Sequence, residues 1–103
     1  MEGEIVKSAT CGATSTKLEE DWNDLPFAGL QAAARRFFLG RAKHGRFNWQ
    51  KGDADFAEVR LSHAIRHVHL FAESRKLEDL DATLCNLMMI AWYVQKGIME
   101  IEE

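Results

Sequence analysis

The amino-acid sequence predicts an all-α protein, a small helical bundle of three to four helices that is oligomeric. Apolar residues recur at helical spacing through most of the chain after residue 26, and no window shows the sustained alternation typical of a half-buried strand. The length is the third observation, because 103 residues form one domain with only a modest core. Association with a second copy would bury more apolar surface, so we expect a homo-oligomer.

The N-terminal region comes first. Residues 1 to 15 are rich in Gly, Ser, Thr and Ala without periodicity, which predicts a flexible N-terminal lead. Residues 16 to 103 then form the single helical domain. Thr16 and Glu19 have the spacing of a capping box, in which hydroxyl and carboxylate accept from free backbone N–H groups. This spacing predicts a short helix that begins at Thr16.

Three longer helices follow. Pro26 suits the first turn of a helix because its missing N–H has no partner there, and helical periodicity then predicts a helix from about 26 to 42. The same rhythm predicts helices over roughly 54 to 74 and 77 to 96, and Gly97 is well placed to end the last.

The last of these helices is apolar around more than one face. It carries Met88, Met89, Trp92 and Tyr93, which exceed what one buried face requires. We interpret these side chains as core and subunit interface.

The charges are distributed unevenly. The net charge is −3, yet every charged side chain between Arg35 and Lys51 is basic. Such a segment should attract phosphate. A duplex-binding domain would usually be basic overall, so we expect a small anionic ligand and no nucleic-acid polymer.

Cysteine usage and hydropathy indicate the compartment. Cys11 and Cys85 are the only cysteines, and their positions argue against a structural disulfide. No apolar run approaches membrane-spanning length, and the acidic first residues do not resemble a secretion signal. The expectation is a cytoplasmic protein with no membrane partner.

The stretch from Lys43 to Gly52 is a basic, aromatic loop. Trp49 and Phe47 could stack a nucleobase while Lys43 and Arg46 hold phosphates, with Asn48 reading a base edge or capping the loop. Alternatively, Trp49 fills the end of the helical bundle, and the basic side chains of the loop cover that end and contact water.

Two groups of side chains could hold a metal ion. Glu78 and Asp81 lie three residues apart on one helix face, a spacing that can share a magnesium ion, although acids in a first helical turn also stabilise the helix dipole. His63 and His67 lie four apart with Arg66 beside them. They could bind a transition metal or a phosphate, or be a solvated or packed pair that is hydrogen-bonded to carboxylates across the interface.

The order of these motifs resembles a known family. The segments that carry the resemblance are Asp24-Leu25-Pro26, residues 39 to 45, residues 48 to 52, Ala64-Ile65-Arg66-His67, Phe71-Ala72-Glu73 and residues 80 to 86. Together they are similar to the N-terminal-type domain of phage and bacterial dATP/dGTP diphosphohydrolases, which belong with the MazG-like all-α nucleotide pyrophosphohydrolases. The resemblance covers about residues 24 to 96.

The resemblance implies a site and an activity. It implies an oligomeric helical bundle, a Mg²⁺ or Mn²⁺ ion, and cleavage of a deoxynucleoside triphosphate to the monophosphate and pyrophosphate. It also extends the expected location to the cytoplasm of a phage host. The residues that match by position are, for the ligand, Lys43, Asn48, Trp49, Lys51 and Arg66, and, for the acidic and metal-holding set, His67, Glu73, Glu78, Asp79 and Asp81.

Three hypotheses follow. The first is a metal-dependent pyrophosphohydrolase acting on a purine deoxynucleoside triphosphate, with Glu78, Asp81 and His67 as catalytic residues and Asp79 as a further metal ligand. The second is a non-catalytic nucleotide-binding module that sequesters or senses a nucleotide, because Arg75 and Lys76 stand where relatives carry further acids. The third is a helical oligomerisation module whose His and acidic residues form ion pairs.

Overall fold

The structure is a computed structural model that describes residues 4–17 and 19–102. Its long helices are α1 (Phe27–His44), α2 (Ala54–Ser74) and α3 (Leu77–Gln95), with short 3-10 helices at Trp22–Asp24 and Asn48–Lys51 and strands β1 (Ile5–Lys7) and β2 (Thr14–Thr16). The chain is therefore mostly helical, as predicted, with a small two-stranded sheet in addition.

The two strands form an exposed antiparallel hairpin in which Ile5 pairs with Thr16. The hairpin lies in the segment that the sequence predicts to be a lead. Three-residue strands are too short to show alternation, which explains why the pattern gave no strand signal. The predicted helix at Thr16 was wrong, because this residue pairs in β2 and the helical turn begins only at Trp22.

The predicted long helices agree with the observed ones to within about two residues at each end, the usual uncertainty of helix boundaries. Pro26 precedes α1 with extended backbone angles, and Gly45 ends it at a φ of 89°. Asp53 caps α2, its carboxylate accepting from the Phe56 N–H at 3.0 Å. Such a cap satisfies one of the free N–H groups of the first turn.

Helix α3 is the central element. It packs along both α1 and α2, whereas those two helices hardly contact each other. The apolar core consists mainly of small residues, namely Ala32, Ala33, Ala57, Ala64, Ala82 and Cys85, together with the fully buried Tyr93. Small side chains allow the helices to approach closely. Four polar residues of α3 are also buried: Asp79, Asp81, Thr83 and Asn86.

Many large apolar side chains remain outside this core. They include Phe27, Leu30, Phe38, Leu39, Val59, Ile65, Val68, Leu87 and Met88, all at least 45% exposed. Both cysteines are free thiols, Cys11 exposed and Cys85 buried, as the sequence predicts. Within residues 4–17 and 19–102, no helix has the length and hydropathy needed to cross a membrane.

Candidate functional site

A cavity of about 880 Å³ lies between the C-terminal half of α1, the basic loop and α3. Its lining is mainly apolar, and Phe56 of α2 and Cys85 and Asn86 of α3 contribute to it. Three loop residues that the sequence singled out, Lys43, Arg46 and Asn48, also line it. The structure therefore brings cations and apolar surface to one concave site, the arrangement typical of small-molecule pockets.

Trp49 lies at the centre of an aromatic cluster. Its ring centroid is 5.6 Å from that of Phe37, 5.1 Å from that of Trp92 and 6.0 Å from that of Tyr93. The Tyr93 hydroxyl donates to the Trp49 carbonyl oxygen at 2.5 Å. This packing matches the alternative in which Trp49 fills the bundle end. The side chain is only partly buried and still lines the cavity.

The loop backbone is held in an unusual conformation. Phe47 has a left-handed φ of 62°, its ring is exposed, and the Arg46 guanidinium lies 4.9 Å from the ring centroid. A positive φ is uncommon for an aromatic residue. Lys51 lies in the following 3-10 helix, exposed and outside the cavity lining.

Asp81 is held by an arginine that sequence reasoning did not assign to the site. Arg35 of α1 donates from Nε to Oδ2 at 2.9 Å and from a terminal nitrogen to Oδ1 at 2.8 Å. These hydrogen bonds hold the pKa of the Asp81 carboxyl below its usual range. The only sequence signal was the position of Asp81 among leucines, where an unpaired carboxylate would be costly.

His67 and Asp79 form a second pair. Their Nδ1 and Oδ1 atoms are 2.8 Å apart, and both side chains are nearly buried. An ionised carboxylate only accepts, so Nδ1 carries the proton and Nε2 is the ring nitrogen left for another partner. For His67, the pairing matches the alternative of a packed histidine that is hydrogen-bonded to a carboxylate.

The predicted metal ligands do not form a ready cation site within this chain. Glu78 is exposed, both oxygens of Asp81 accept from Arg35, and one oxygen of Asp79 bonds to His67. In the part of the chain that the structure describes, no group of three or more His, Cys, Asp or Glu side chains could hold a metal ion. The need for Mg²⁺ or Mn²⁺ stays a prediction.

The remaining predicted residues lie on α2 and its end. Arg66 and Glu73 are exposed. His63 is mostly exposed, and its pKa is lowered by partial burial and by the charge of Arg60. Arg36 lines the cavity, and it and Arg60 were missed as site residues because their convergence from two helices is not visible in spacing along the chain.

Comparison with known families gives one match that spans most of the chain. Residues 9–102 match the family described as dATP/dGTP diphosphohydrolase, N-terminal. Searches of curated proteins and of solved structures find no match. The chain belongs to the dATP/dGTP diphosphohydrolase N-terminal family.

Proposed function

We propose, from this family membership, that the chain binds a purine deoxynucleoside triphosphate in the cavity beside the basic loop. The observation that carries the proposal is the convergence of an apolar wall and several cations on one cavity of about 880 Å³. The apolar part suits a base and the cations suit phosphates. No carboxylate belongs to the cavity lining among the residues described, so nothing there would repel an anion.

The loop supplies the contacts. The loop offers aromatic surface for a base. This surface consists of the exposed ring of Phe47, whose backbone is in the left-handed region, and the part of the Trp49 ring that is not buried. Lys43 and Arg46 would hold phosphate oxygens, and the Asn48 amide would bond to the base edge. Arg66 and Lys51 lie outside the lining and would act only on the part of a ligand that leaves the cavity.

Pyrophosphate release is the second candidate function. The family match favours it, because the family takes its name from diphosphohydrolases. The pairing of His67 with Asp79 also resembles the way in which carboxylates orient histidines that act as bases or ligands. Coordination of a cation by Asp81 would require the Arg35 hydrogen bonds to break, so binding is the function that this geometry favours more directly.

Calorimetry and a pyrophosphate assay separate the two functions. Purified protein is titrated with dATP, dGTP, dCTP and dTTP, first in EDTA and then with Mg²⁺ or Mn²⁺, and pyrophosphate is measured in parallel. Binding of the purine nucleotides in EDTA without turnover supports a binding module. Metal-dependent pyrophosphate release supports the hydrolase. Absence of binding and of product with all four nucleotides would remove both.

A matched pair of lysine variants tests the site. Lys43→Gln removes a cation from the cavity wall and should weaken binding about tenfold, the effect of about 1.4 kcal/mol. Lys17→Gln removes the same charge from the N-terminal hairpin, where the lysine pairs with Glu4 at 3.5 Å, and should leave binding unchanged. Equal affinity in both variants would show that the nucleotide binds elsewhere.

A further inference from the structure

A second set of cationic side chains lies where α1 and α2 face each other across α3. It consists of the cations Arg36 from α1 and Arg60 from α2, together with the imidazole of His63 from α2, whose lowered pKa favours its neutral form, and we call it the inner cationic cluster. Arg36 lines the cavity together with Cys85. The positive charges of Arg36 and Arg60 both act to lower the pKa of Cys85 and the pKa of His63. The two arginines therefore lie close to the same region.

Arg60 is held against the cavity wall. Its guanidinium lies 4.7 Å from the ring centroid of Phe56, and that ring lines the cavity. The Nε atom of Arg60 is buried without a hydrogen-bond partner. A buried cationic donor left unpaired is costly, and such exceptions are uncommon in folded proteins. The position of this donor is explained if a ligand oxygen accepts from it.

The two arginines of the cluster differ from Arg35 in their partners. Among residues 4–17 and 19–102, neither Arg36 nor Arg60 forms a salt bridge, whereas Arg35, next in the chain, has Asp81 as its bidentate partner. The pKa of His63 is lowered first by burial and then by the charges of Arg60, His67, Arg66 and Arg36. The charge of Arg36 also helps to lower the pKa of Asp81, but both oxygens of that carboxylate accept from Arg35. Neither arginine of the cluster therefore has a carboxylate of its own, which favours capture of an anion.

We propose that Arg36, Arg60 and His63 form a subsite for a polyphosphate, the triphosphate tail of the nucleotide. This inference rests on the proposed function, and it assigns the phosphates to the part of the cavity wall formed by Arg36 and Phe56, with Arg60 stacked behind Phe56. Guanidinium groups bind phosphate oxygens in pairs, so two arginines can hold adjacent phosphates. Phe47 and Trp49 at the loop side of the cavity would then receive the base.

Charge-removing variants with a matched control test the subsite. Arg36→Met and Arg60→Met keep an apolar stem but remove the charge. Arg75→Met is the control, because Arg75 also lies over a ring, 5.5 Å from the centroid of Phe71, yet at the end of α2. Each protein is titrated with dGTP, dATP and inorganic tripolyphosphate. We expect the two cluster variants to bind all three at least tenfold more weakly than the wild type, and Arg75→Met to match the wild type.

The three probes distinguish the two proposals. Nucleotide binding that is unchanged in both cluster variants overturns the subsite and leaves the proposed function intact. Binding of tripolyphosphate but of no nucleotide supports the subsite and overturns the proposed function. If Arg75→Met lost as much binding affinity as the cluster variants, the loss would be a general effect of removing positive charge, and the subsite would also be overturned.

Two readouts separate binding from a structural role. Without ligand, the cluster variants should melt at or above the wild-type temperature, because each relieves repulsion among like charges; a large drop would indicate structural arginines. Proton NMR of His63 gives the second readout. Its pKa should rise when tripolyphosphate binds to the wild-type protein, since an adjacent anion favours the charged imidazole. A His63 pKa unmoved at saturating tripolyphosphate would overturn the role of this residue.

Discussion

Carboxylates that resemble metal ligands in the sequence serve here as acceptors for neighbouring cations. Asp81 illustrates this, because its two oxygens accept from Arg35 and the pair joins α1 to α3. The ExxD spacing of Glu78 and Asp81 was visible in the sequence, whereas the partner lies 46 residues away and no spacing rule reveals it. The residue type shows which interactions a side chain can make, and its partner in the folded structure decides which of those interactions it does make.

The Arg35–Asp81 pair predicts a pH-dependent loss of stability. Because the folded-state pKa of Asp81 is lowered, its contribution is complete above the unfolded-state carboxyl pKa, about 4, and is lost as the pH falls through the lower folded-state value. Asp81→Asn should therefore lower the melting temperature by several degrees at pH 7, and the difference from wild type should shrink below about pH 4.

Melting curves of both proteins between pH 7 and pH 2.5 provide the measurement. Glu58→Gln, which changes an exposed acid on α2, serves as the control and should follow the wild type throughout. A difference between Asp81→Asn and wild type that stays constant down to pH 2.5 would contradict the assigned role of the ionised carboxylate.

At the level of elements, the helices could be predicted closely and their connections could not. Periodicity marks α2 and α3 because each repeats its apolar positions over about five turns. The 3-10 helix at Asn48–Lys51 and the pairing of β1 with β2 have no repeat of that length. The candidate site was predictable in part: its basic loop is one continuous segment, but the inner cationic cluster exists only after two helices pack.

Gly52 offers a test of how the loop meets α2. A Cβ at this position would lie 2.3 Å from Cδ1 and 2.8 Å from Cγ of Phe56, although the backbone φ of −66° would suit any residue. Gly52→Ala should therefore displace the Phe56 ring from the cavity wall. We expect a loss of about 1–3 kcal/mol in the free energy of unfolding, the usual range for overpacking, and weaker nucleotide binding.

Urea unfolding of a matched alanine variant makes the measurement specific. Gly40 lies within α1 with no atom near its would-be Cβ, so Gly40→Ala should stabilise the protein by about 0.5–1 kcal/mol. Destabilisation of equal size in both variants would show that close packing against Phe56 is not the cause.

On the scale of the whole molecule, many exposed apolar side chains are larger than the alanines that make up most of the core. Phe27, Leu30, Ala34 and Phe38 follow helical spacing along α1 and form an exposed stripe, whereas the buried residues of this helix are Ala32 and Ala33. A contiguous apolar stripe of this kind on the surface of a folded domain marks an interaction surface. We propose that a second copy of the chain covers the α1 stripe, which agrees with the homo-oligomer that the sequence predicts.

Light scattering coupled to size-exclusion chromatography tests this assembly. We expect the wild type to elute as a homo-oligomer and Phe38→Ser, which places a hydroxyl within the α1 stripe, to shift towards the monomer. Ile65→Ser changes an exposed side chain on α2, a helix that hardly contacts α1, and should keep the wild-type state. Because Phe38 also lines the cavity, dissociation should weaken nucleotide binding in parallel. A wild-type protein that is monomeric at all concentrations, or equal dissociation in both variants, would contradict the proposal that the α1 stripe is the subunit interface.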